Sequence, residues 1–358
     1  MIYNEIRRKT KRINVGKIAI GDLSPIAIQS MTNTDTHNKE ATLSQIRSLE
    51  ELGCDIVRIT VPDIDAVDTI TYLKQSGVRI PVVADIHFDY KIAIASAKAG
   101  VDKIRINPGN IGSDQKVYEV VCACREFGIP IRIGVNSGSL EKNILSKYGA
   151  PTADALCESA MYHASLLEKY GFSDIVISIK ASNPYEMIRA NRKLASMCDY
   201  PLHLGVTEAG SKEMGSIKSA VGIGALLCDG IGDTIRVSLT DKPEEEILAA
   251  KNILSAVGVE GQCGMDIVSC PTCGRTKIDL ISLVSEFEKR AREENILSKP
   301  IKVAMMGCVV NGPGEAREAD IGVAGGKGEA VLIKKGVIVE KIAEDNIVER
   351  LISEIKKL

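Results

Sequence analysis

Residues 101–135 read Val-Asp-Lys-Ile-Arg-Ile-Asn-Pro-Gly-Asn-Ile-Gly-Ser-Asp-Gln-Lys-Val-Tyr-Glu-Val-Val-Cys-Ala-Cys-Arg-Glu-Phe-Gly-Ile-Pro-Ile-Arg-Ile-Gly-Val. Two short β-branched runs flank an amphipathic stretch that closes on Gly128. Each run sets an arginine between two aliphatics, Ile104-Arg105-Ile106 and Ile131-Arg132-Ile133. Side chains alternate faces along a strand, so the aliphatics face one way and the arginines the other. The segment is one strand–helix–strand unit, and its polar face is charged.

The unit repeats outward in both directions. Strands are expected at Ile26–Met31, Ile56–Thr60, Pro81–Ile86, Lys103–Asn107, Ile131–Val135, Ile175–Lys180, Leu202–Thr207 and Thr234–Leu239. Helical patterns fall between them, at Ala41–Leu52, Tyr90–Ala99, Lys116–Phe127, Ala153–Tyr170 and Tyr185–Met197. Gly53, Gly77, Gly100, Gly128 and Gly171 stand where helices end and a left-handed residue is wanted. Eight strands alternating with helices predict an α/β chain built on a (β/α)8 TIM barrel, with an open doubly wound sheet as fallback. No G-x-G-x-x-G follows the first strand, which argues against a lone Rossmann fold.

The pattern changes near Asp241. A helix over Pro243–Ala256 leads into the polar, glycine-rich Gly258–Gly264. A barrel over 1–258 followed by a small α/β domain over 259–358 is therefore expected. In the second part, strands are expected at Asp266–Ser269 and Ile301–Met306, with a helix about Lys277–Asn295 between them. A hairpin turns at Lys335–Gly336, and a last helix runs from Asn346 to Leu358.

Composition narrows the function classes. Lys plus Arg (45) nearly balances Asp plus Glu (47), so nothing points to nucleic acid or a membrane surface, and any anion site must be local. Tryptophan is absent and aromatics are 4%, a poor basis for base-stacking platforms. The basic segment Met1–Arg12 is followed by no apolar run of signal-peptide type, and no stretch is long enough to span a bilayer. A cytoplasmic protein is expected. In that compartment ten cysteines are reduced thiols, metal ligands or catalytic groups rather than disulfides.

The arginine pattern recurs in Val57-Arg58-Ile59 and Ile235-Arg236-Val237. With the aliphatics against the helix layer, Arg58, Arg105, Arg132 and Arg236 face the barrel axis. Thr60, Asn107, Asn136 and Ser238 continue that parity toward the strand ends; Asp85 shares a parity with His87, Ser178 with Lys180, and His203 with Thr207. Polar groups so placed converge on the C-terminal mouth, where barrel enzymes keep their active sites. Buried charge without a partner is costly. The inward acids, Asp85 and Glu208, are too few for four arginines and a lysine, which points to a polyanionic ligand matched to the guanidinium fork. The bland alternative pairs each arginine with a nearby carboxylate. The glycine-rich stretch Gly222–Gly232 either lies near a phosphate site of the kind barrels build after their last strands or only permits tight turns.

Cys270-Pro-Thr-Cys273 is a C-x-x-C, and Cys308 stands between glycine-rich flanks. Three thiolates suit a 4Fe-4S cubane whose fourth iron takes another ligand. Cys263 and Glu315 are both in reach; a carboxylate is the harder, more exchangeable ligand. Zinc on the three cysteines plus Cys263 is the structural alternative. Cys54, Cys122, Cys124, Cys157, Cys198 and Cys228 read as structural.

Ser269-Cys-Pro-Thr-Cys-Gly-Arg275 together with Met306-Gly-Cys-Val-Val-Asn-Gly-Pro-Gly-Glu-Ala316 resembles the 4-hydroxy-3-methylbut-2-enyl diphosphate synthase family of the methylerythritol phosphate isoprenoid pathway. So do Gln29-Ser-Met-Thr-Asn-Thr-Asp35, Val57-Arg-Ile-Thr60, Ala84-Asp-Ile-His-Phe88, Arg105-Ile-Asn-Pro-Gly-Asn110, Gly134-Val-Asn-Ser-Gly-Ser139 and Leu204-Gly-Val-Thr-Glu-Ala-Gly210. The likeness runs in order along nearly the whole chain, and the length matches the two-domain bacterial form.

The resemblance implies reduction of 2-C-methyl-D-erythritol 2,4-cyclodiphosphate by two electrons entering through the cluster. It implies cluster ligands Cys270, Cys273, Cys308 and Glu315. Substrate contacts follow from Arg58, Arg105 and Arg132, with His87, Asn136 and Lys180 close by, and Arg236 and Ser238 share their face. Glu208 is assigned proton transfer, with His203 as the other candidate. Flavodoxin or ferredoxin is the implied electron donor. A head-to-tail homodimer, each cluster domain capping its partner's barrel, is implied as well. Two rivals stand beside this reading: a pterin-type barrel transferase with a structural zinc domain, and a non-enzymatic iron–sulfur carrier. Glu315→Cys is expected to keep a cluster and lose most turnover; near-normal activity in the variant would remove the exchangeable-ligand idea.

Overall fold

The computed structural model describes residues 5–259, 264–297, 299–309, 314 and 316–358. It divides into two compact units, Met1–Gly258 and Val259–Leu358.

In the first unit a short antiparallel hairpin, β1 (Ile13–Val15) and β2 (Ile18–Ile20), precedes eight parallel strands. These are β3 (Ala27–Met31), β4 (Ile56–Thr60), β5 (Val82–Asp85), β6 (Lys103–Ile106), β7 (Ile131–Asn136), β8 (Ile175–Lys180), β9 (His203–Leu204) and β10 (Thr234–Ile235). Their order is β8-β7-β6-β5-β4-β3-β10-β9, and a bridge from Ile177 to Leu202 joins β8 to β9 and closes the ring. The expected (β/α)8 barrel is the observed one.

Its helices start where side chains can cap them. Asn38 accepts from the Ala41 N–H, Asp89 from Lys91, Thr152 from Ala155 and Asn183 from Tyr185. The five glycines read as helix closures all take positive φ, from 64° at Gly128 to 88° at Gly100.

The strand aliphatics Val57, Ile59, Ile104, Ile106, Ile131 and Ile133 are fully buried under the helices. On the axial side the lower end of the barrel is apolar. Ala27, Ile56, Val83 and Val176 pack against Ile13, Val15 and Ile20 of the hairpin, which plugs the floor. The sequence reading did not find this hairpin, because three-residue strands carry almost no periodicity. The basic N-terminal segment proves structural: the Arg8 guanidinium donates to the carbonyls of Ala195 and Cys198 at 2.9 and 2.6 Å.

Two expectations need correction. Strands at Leu202–Thr207 and Thr234–Leu239 shrink to two residues each. Backbone contacts continue beyond them, with Arg236 N–H donating to Leu204 O at 2.9 Å, but Glu208 turns to φ 53° and ends the extended run. The second correction concerns the glycines of 222–232. Gly222 and Gly224 lie inside the helix Lys212–Cys228, which packs on the barrel, and a Cβ at Gly222 would meet Val206 Cγ2 at 2.8 Å. Gly230 and Gly232 turn into the start of β10, the end away from the mouth. Packing, not phosphate binding, accounts for them.

The second unit is a five-stranded sheet in the order β11 (Asp266–Ser269), β12 (Lys302–Met306), β13 (Ile321–Gly325), β14 (Glu329–Lys334), β15 (Val337–Ala343). The first three are parallel and the last two antiparallel. Lys335 and Gly336, with φ of 45° and 79°, form the expected tight hairpin turn. The helices Leu280–Glu293 and Ile347–Lys356 bury Phe287, Ala291, Leu351 and Ile355 against it. The central strand β13 was missed because its sequence, Ile-Gly-Val-Ala-Gly, reads as loop. Both its glycines are steric: a Cβ on Gly322 would lie 2.7 Å from Ala304 O, and one on Gly325 2.7 Å from Ile278 Cδ1.

Candidate active site

Strand register sets the levels of the barrel interior. Asp85, Arg105 and Arg132 are register partners on β5, β6 and β7. One step toward the mouth come Gly134 and Ser178, then Asn136 and Lys180. One step toward the floor, Lys103 pairs with Val83, and His203 is level with Thr234 and Ala27.

The expected arginines do point inward, but the structure divides them. Arg236 is matched: its Nη2 and Nε donate to the Glu246 carboxylate at 3.0 and 3.3 Å. Glu246 also accepts from Ser30 Oγ and from the Leu239 N–H. Arg236 thus has a carboxylate partner of the kind the bland alternative describes. Glu246 lies in the first turn of the helix Pro243–Val257, and no strand parity could have flagged it.

Arg105 donates to Asp85 Oδ1 at 3.1 Å, and Arg58 Nε lies 3.7 Å from Asp85 Oδ2. One carboxylate thus serves two guanidiniums, and Arg58 leans on Met31 Sδ as well. Arg132 is 1% exposed, and among the described residues its Nε and Nη1 have no hydrogen-bond partner. Lys180 is 7% exposed. Lys103, absent from the sequence-derived candidates although it shares the parity of Arg105, is wholly buried, and its Nζ has no hydrogen-bond partner among the described residues.

The electrostatics follow from this crowding. Burial raises the Asp85 carboxyl, but the charges of Arg58 and Arg105 outweigh it and hold the group below the usual carboxylate range. Burial pulls Arg58 down to about 10, partly offset by Asp85. Burial, reinforced by neighbouring cations, drives Arg132, Lys103 and Lys180 well below their ordinary values. Six cationic side chains, Arg58, Lys103, Arg105, Arg132, Lys180 and Arg236, face Asp85 and Glu246. A buried cation left unpaired costs several kcal/mol. The interior of the described barrel therefore carries an excess of buried cationic side chains over carboxylates.

The remaining candidates separate by position. His87 is exposed just past the end of β5, with its ring 6.0 Å from that of Phe88. Asn136 and Ser238 are half-buried near the strand ends. The Asn107 Oδ1 caps the short helix Pro108–Ile111. Glu208 is exposed, in a left-handed conformation. His203 is wholly buried at the floor level, its Nδ1 2.8 Å from Thr234 Oγ1. Burial and the charges of Arg132 and Lys180 keep its imidazole neutral. His203 is thus anchored through Nδ1 by Thr234, while its Nε2 has no hydrogen-bond partner among the described residues.

Gly134 makes room for the anion-facing layer. A Cβ there would lie 2.5 Å from Arg105 Nε. Gly109 does the same for the buried His163, whose Nδ1 accepts from the Gly109 N–H at 3.2 Å while Nε2 meets Glu141.

In the second unit, β11 and β12 are parallel with Ser269 beside Met305, so the chain emerges from neighbouring strand ends at Cys270 and at Gly307-Cys308. The Gly307 N–H donates to Cys270 Sγ at 3.2 Å. A side chain at Gly307 would strike Thr276 Cγ2 at 2.7 Å. Cys273 is exposed, and the Arg275 backbone N–H lowers its thiol below the usual range. Backbone donors to sulfur and a thiol biased toward thiolate are what a cluster requires, so these cysteines fit one. Among the described residues no three His, Cys, Asp or Glu side chains stand together at metal-binding spacing. Glu315 and Cys263, the two candidates for a fourth ligand, lie outside the described residues.

These features define a class: a barrel shaped for polyanions, carried in one chain with a thiolate-rich α/β unit. The chain belongs to the GcpE family, with residues 10–251 matching the GcpE TIM-barrel domain and residues 266–357 the GcpE protein C-terminal domain. A relative from Fusobacterium nucleatum is 56% identical over 346 residues, 97% of this chain and 96% of its own length. Another, from Caldanaerobacter subterraneus, is 56% identical over 354 residues, 99% and 98% of the two chains. Both are named 4-hydroxy-3-methylbut-2-en-1-yl diphosphate synthase (flavodoxin). Among solved structures, the phospho-2-dehydro-3-deoxyheptonate aldolase of Thermotoga maritima has a TM-score of 0.50 at 14% identity, covering 70% of this chain and 75% of that one, a likeness of fold.

Gly134→Ala is expected to push Arg105 off Asp85 and weaken inorganic pyrophosphate binding about tenfold, or ~1.4 kcal/mol. Calorimetric titration checks it; unchanged affinity would mean that Arg105 does not contribute to the anion site.

Proposed function

We propose that this enzyme converts 2-C-methyl-D-erythritol 2,4-cyclodiphosphate to 4-hydroxy-3-methylbut-2-enyl diphosphate, consuming two electrons and two protons and releasing one water. The observation that carries the reading is the surplus of buried cations in the barrel, which a cyclic diphosphate would neutralise. The relatives' shared name supports the same reaction.

Arg58, Arg105, Arg132 and Lys180 hold the diphosphate, and Asn136, Ser238 and His87 complete the contacts nearer the rim. Arg236 acts one layer back, locked to Glu246. The guanidiniums stabilise the negative charge released when the cyclic C–O bond breaks. Anchoring the diphosphate holds the reacting carbon in one place, which lowers the entropic barrier. Glu208, exposed beyond β9, is the group free to move protons.

Cys270, Cys273, Cys308 and Glu315 hold a 4Fe-4S cluster, with Glu315 the exchangeable ligand. When bound, the cluster supplies the two electrons and a Lewis-acid iron. The flavodoxin in the relatives' name supports a flavodoxin donor, with ferredoxin as the other carrier of that kind. Buried thiols at Cys54, Cys124 and Cys157 suit the reducing cytoplasm, and no described helix is long and apolar enough to cross a membrane. The pterin-type transferase with structural zinc draws no support from the sequence relatives.

Protein purified without oxygen is expected to contain about four irons and four sulfides per chain and to turn over the cyclodiphosphate. Arg132→Ala should raise KM far more than it lowers kcat. Stoichiometric zinc without sulfide, or unchanged KM and kcat in the variant, would overturn the reading. The head-to-tail homodimer, each cluster unit capping its partner's barrel, is part of the proposal. A monomer in analytical ultracentrifugation at working concentration would refute it.

A further inference from the structure

Beneath the proposed diphosphate site lies a layer that no part of that function uses. Lys103 rises from β6 at the level of the apolar floor, with no exposed surface. Gln29, 1% exposed, has neither amide atom hydrogen-bonded among the described residues, and the same is true of His203 Nε2 and Lys103 Nζ. The Thr234 hydroxyl is engaged with His203 Nδ1.

Among the described residues, the charges that act most strongly on Lys103 are those of Arg132 and Arg58. Arg105 stands two residues along its own strand, Arg58 on β4, Arg132 on β7, Lys180 on β8 and the neutral His203 on β9. Of the two carboxylates, Asp85 on β5 is shared by Arg58 and Arg105, and Glu246 is held by Arg236. Lys103 therefore has positive neighbours, no carboxylate of its own and no water-exposed surface. In a medium of low dielectric such an ammonium is strongly disfavoured, and a lysine, unlike an arginine, can shed its proton. The downward pull on Lys103 from burial, and then from Arg132 and Arg58, agrees with that geometry.

A polyanion reverses the balance. Placed against Arg132, Arg105 and Arg58, it adds negative charge directly above Lys103, where solvent screens little. The group that was costly to charge in the empty barrel becomes favourable to charge in the filled one.

We propose that this protein takes up a proton together with its polyanionic ligand, and that Lys103, sealed beneath the ligand site, is the group that receives it. The inference rests on the anion-site reading. Lys103 does not touch the ligand; it is a positioning charge that raises affinity from below. The sign follows from linkage: proton uptake on binding makes affinity rise as pH falls, over the range between the pKa of Lys103 in the empty barrel and its higher value in the filled one.

The test is calorimetric titration of the full-length protein with inorganic pyrophosphate in buffers of different ionisation enthalpy, which counts the protons taken up per ligand bound. Lys103→Met keeps the volume and removes the amine; Lys103→Gln serves if Met disturbs the fold. Relative to wild type, either variant is expected to lose up to about one proton per pyrophosphate and to bind with a shallower pH dependence. Thermal stability of the ligand-free variant should be equal or higher, because a buried amine without a hydrogen-bond partner, which must give up its proton on folding, has been removed. Pyrophosphate binding with the same proton count in wild type and variants would overturn the assignment to Lys103, as would binding with no proton uptake at all. Absence of any pyrophosphate binding would instead overturn the anion-site reading, and this inference with it.

Discussion

The barrel depends on how it tolerates buried positive charge. Among the described residues, six cationic side chains point into one interior with two carboxylates among them. Everything near the axis is arranged around that imbalance. Asp85 is divided between two guanidiniums, Glu246 is given wholly to Arg236, and Arg132 is left with nitrogens unmatched. Such an interior is costly when empty, and under the proposed function the same charges supply the affinity for a polyanion.

The rest of the unit supports this arrangement. The hairpin Ile13–Ile20 seals the lower end with aliphatic side chains, so charges above it face no water from below. Gly134 leaves space for Arg105 to lie across β7. Helix caps and left-handed glycines stop each helix in time for the next strand to enter at the right register, and register puts Asp85, Arg105 and Arg132 at one level. In the second unit the same device, neighbouring parallel strands in register, brings Cys270 and Cys308 out at adjacent strand ends.

Much of this was legible in the chain itself. Ile-Arg-Ile and Val-Arg-Ile triplets announce both a strand and its two faces, because alternation is a property of the backbone and does not depend on what packs against it. The Cys270-x-x-Cys273 spacing is local too, whereas Cys308 comes to the neighbouring strand end only through the pairing of β11 with β12. Lys103 was equally readable from its parity with Arg105 and was passed over because it precedes the arginine rather than leading to the mouth. Short elements escaped: β1, β2 and the glycine-rich β13 are too brief or too small-residued to show a period.

The sequence by itself determined the barrel, the inward face of each arginine and the family to which the chain belongs, since these rest on periodicity and on contiguous motifs. Only the tertiary structure decided which charges are paired. Glu246 reaches Arg236 because the first turn of a helix folds back over a strand end, and His203 is held by Thr234 because β9 enters beside β10. Partner choice among buried charges depends on the height and approach of distant segments, and no local pattern encodes those.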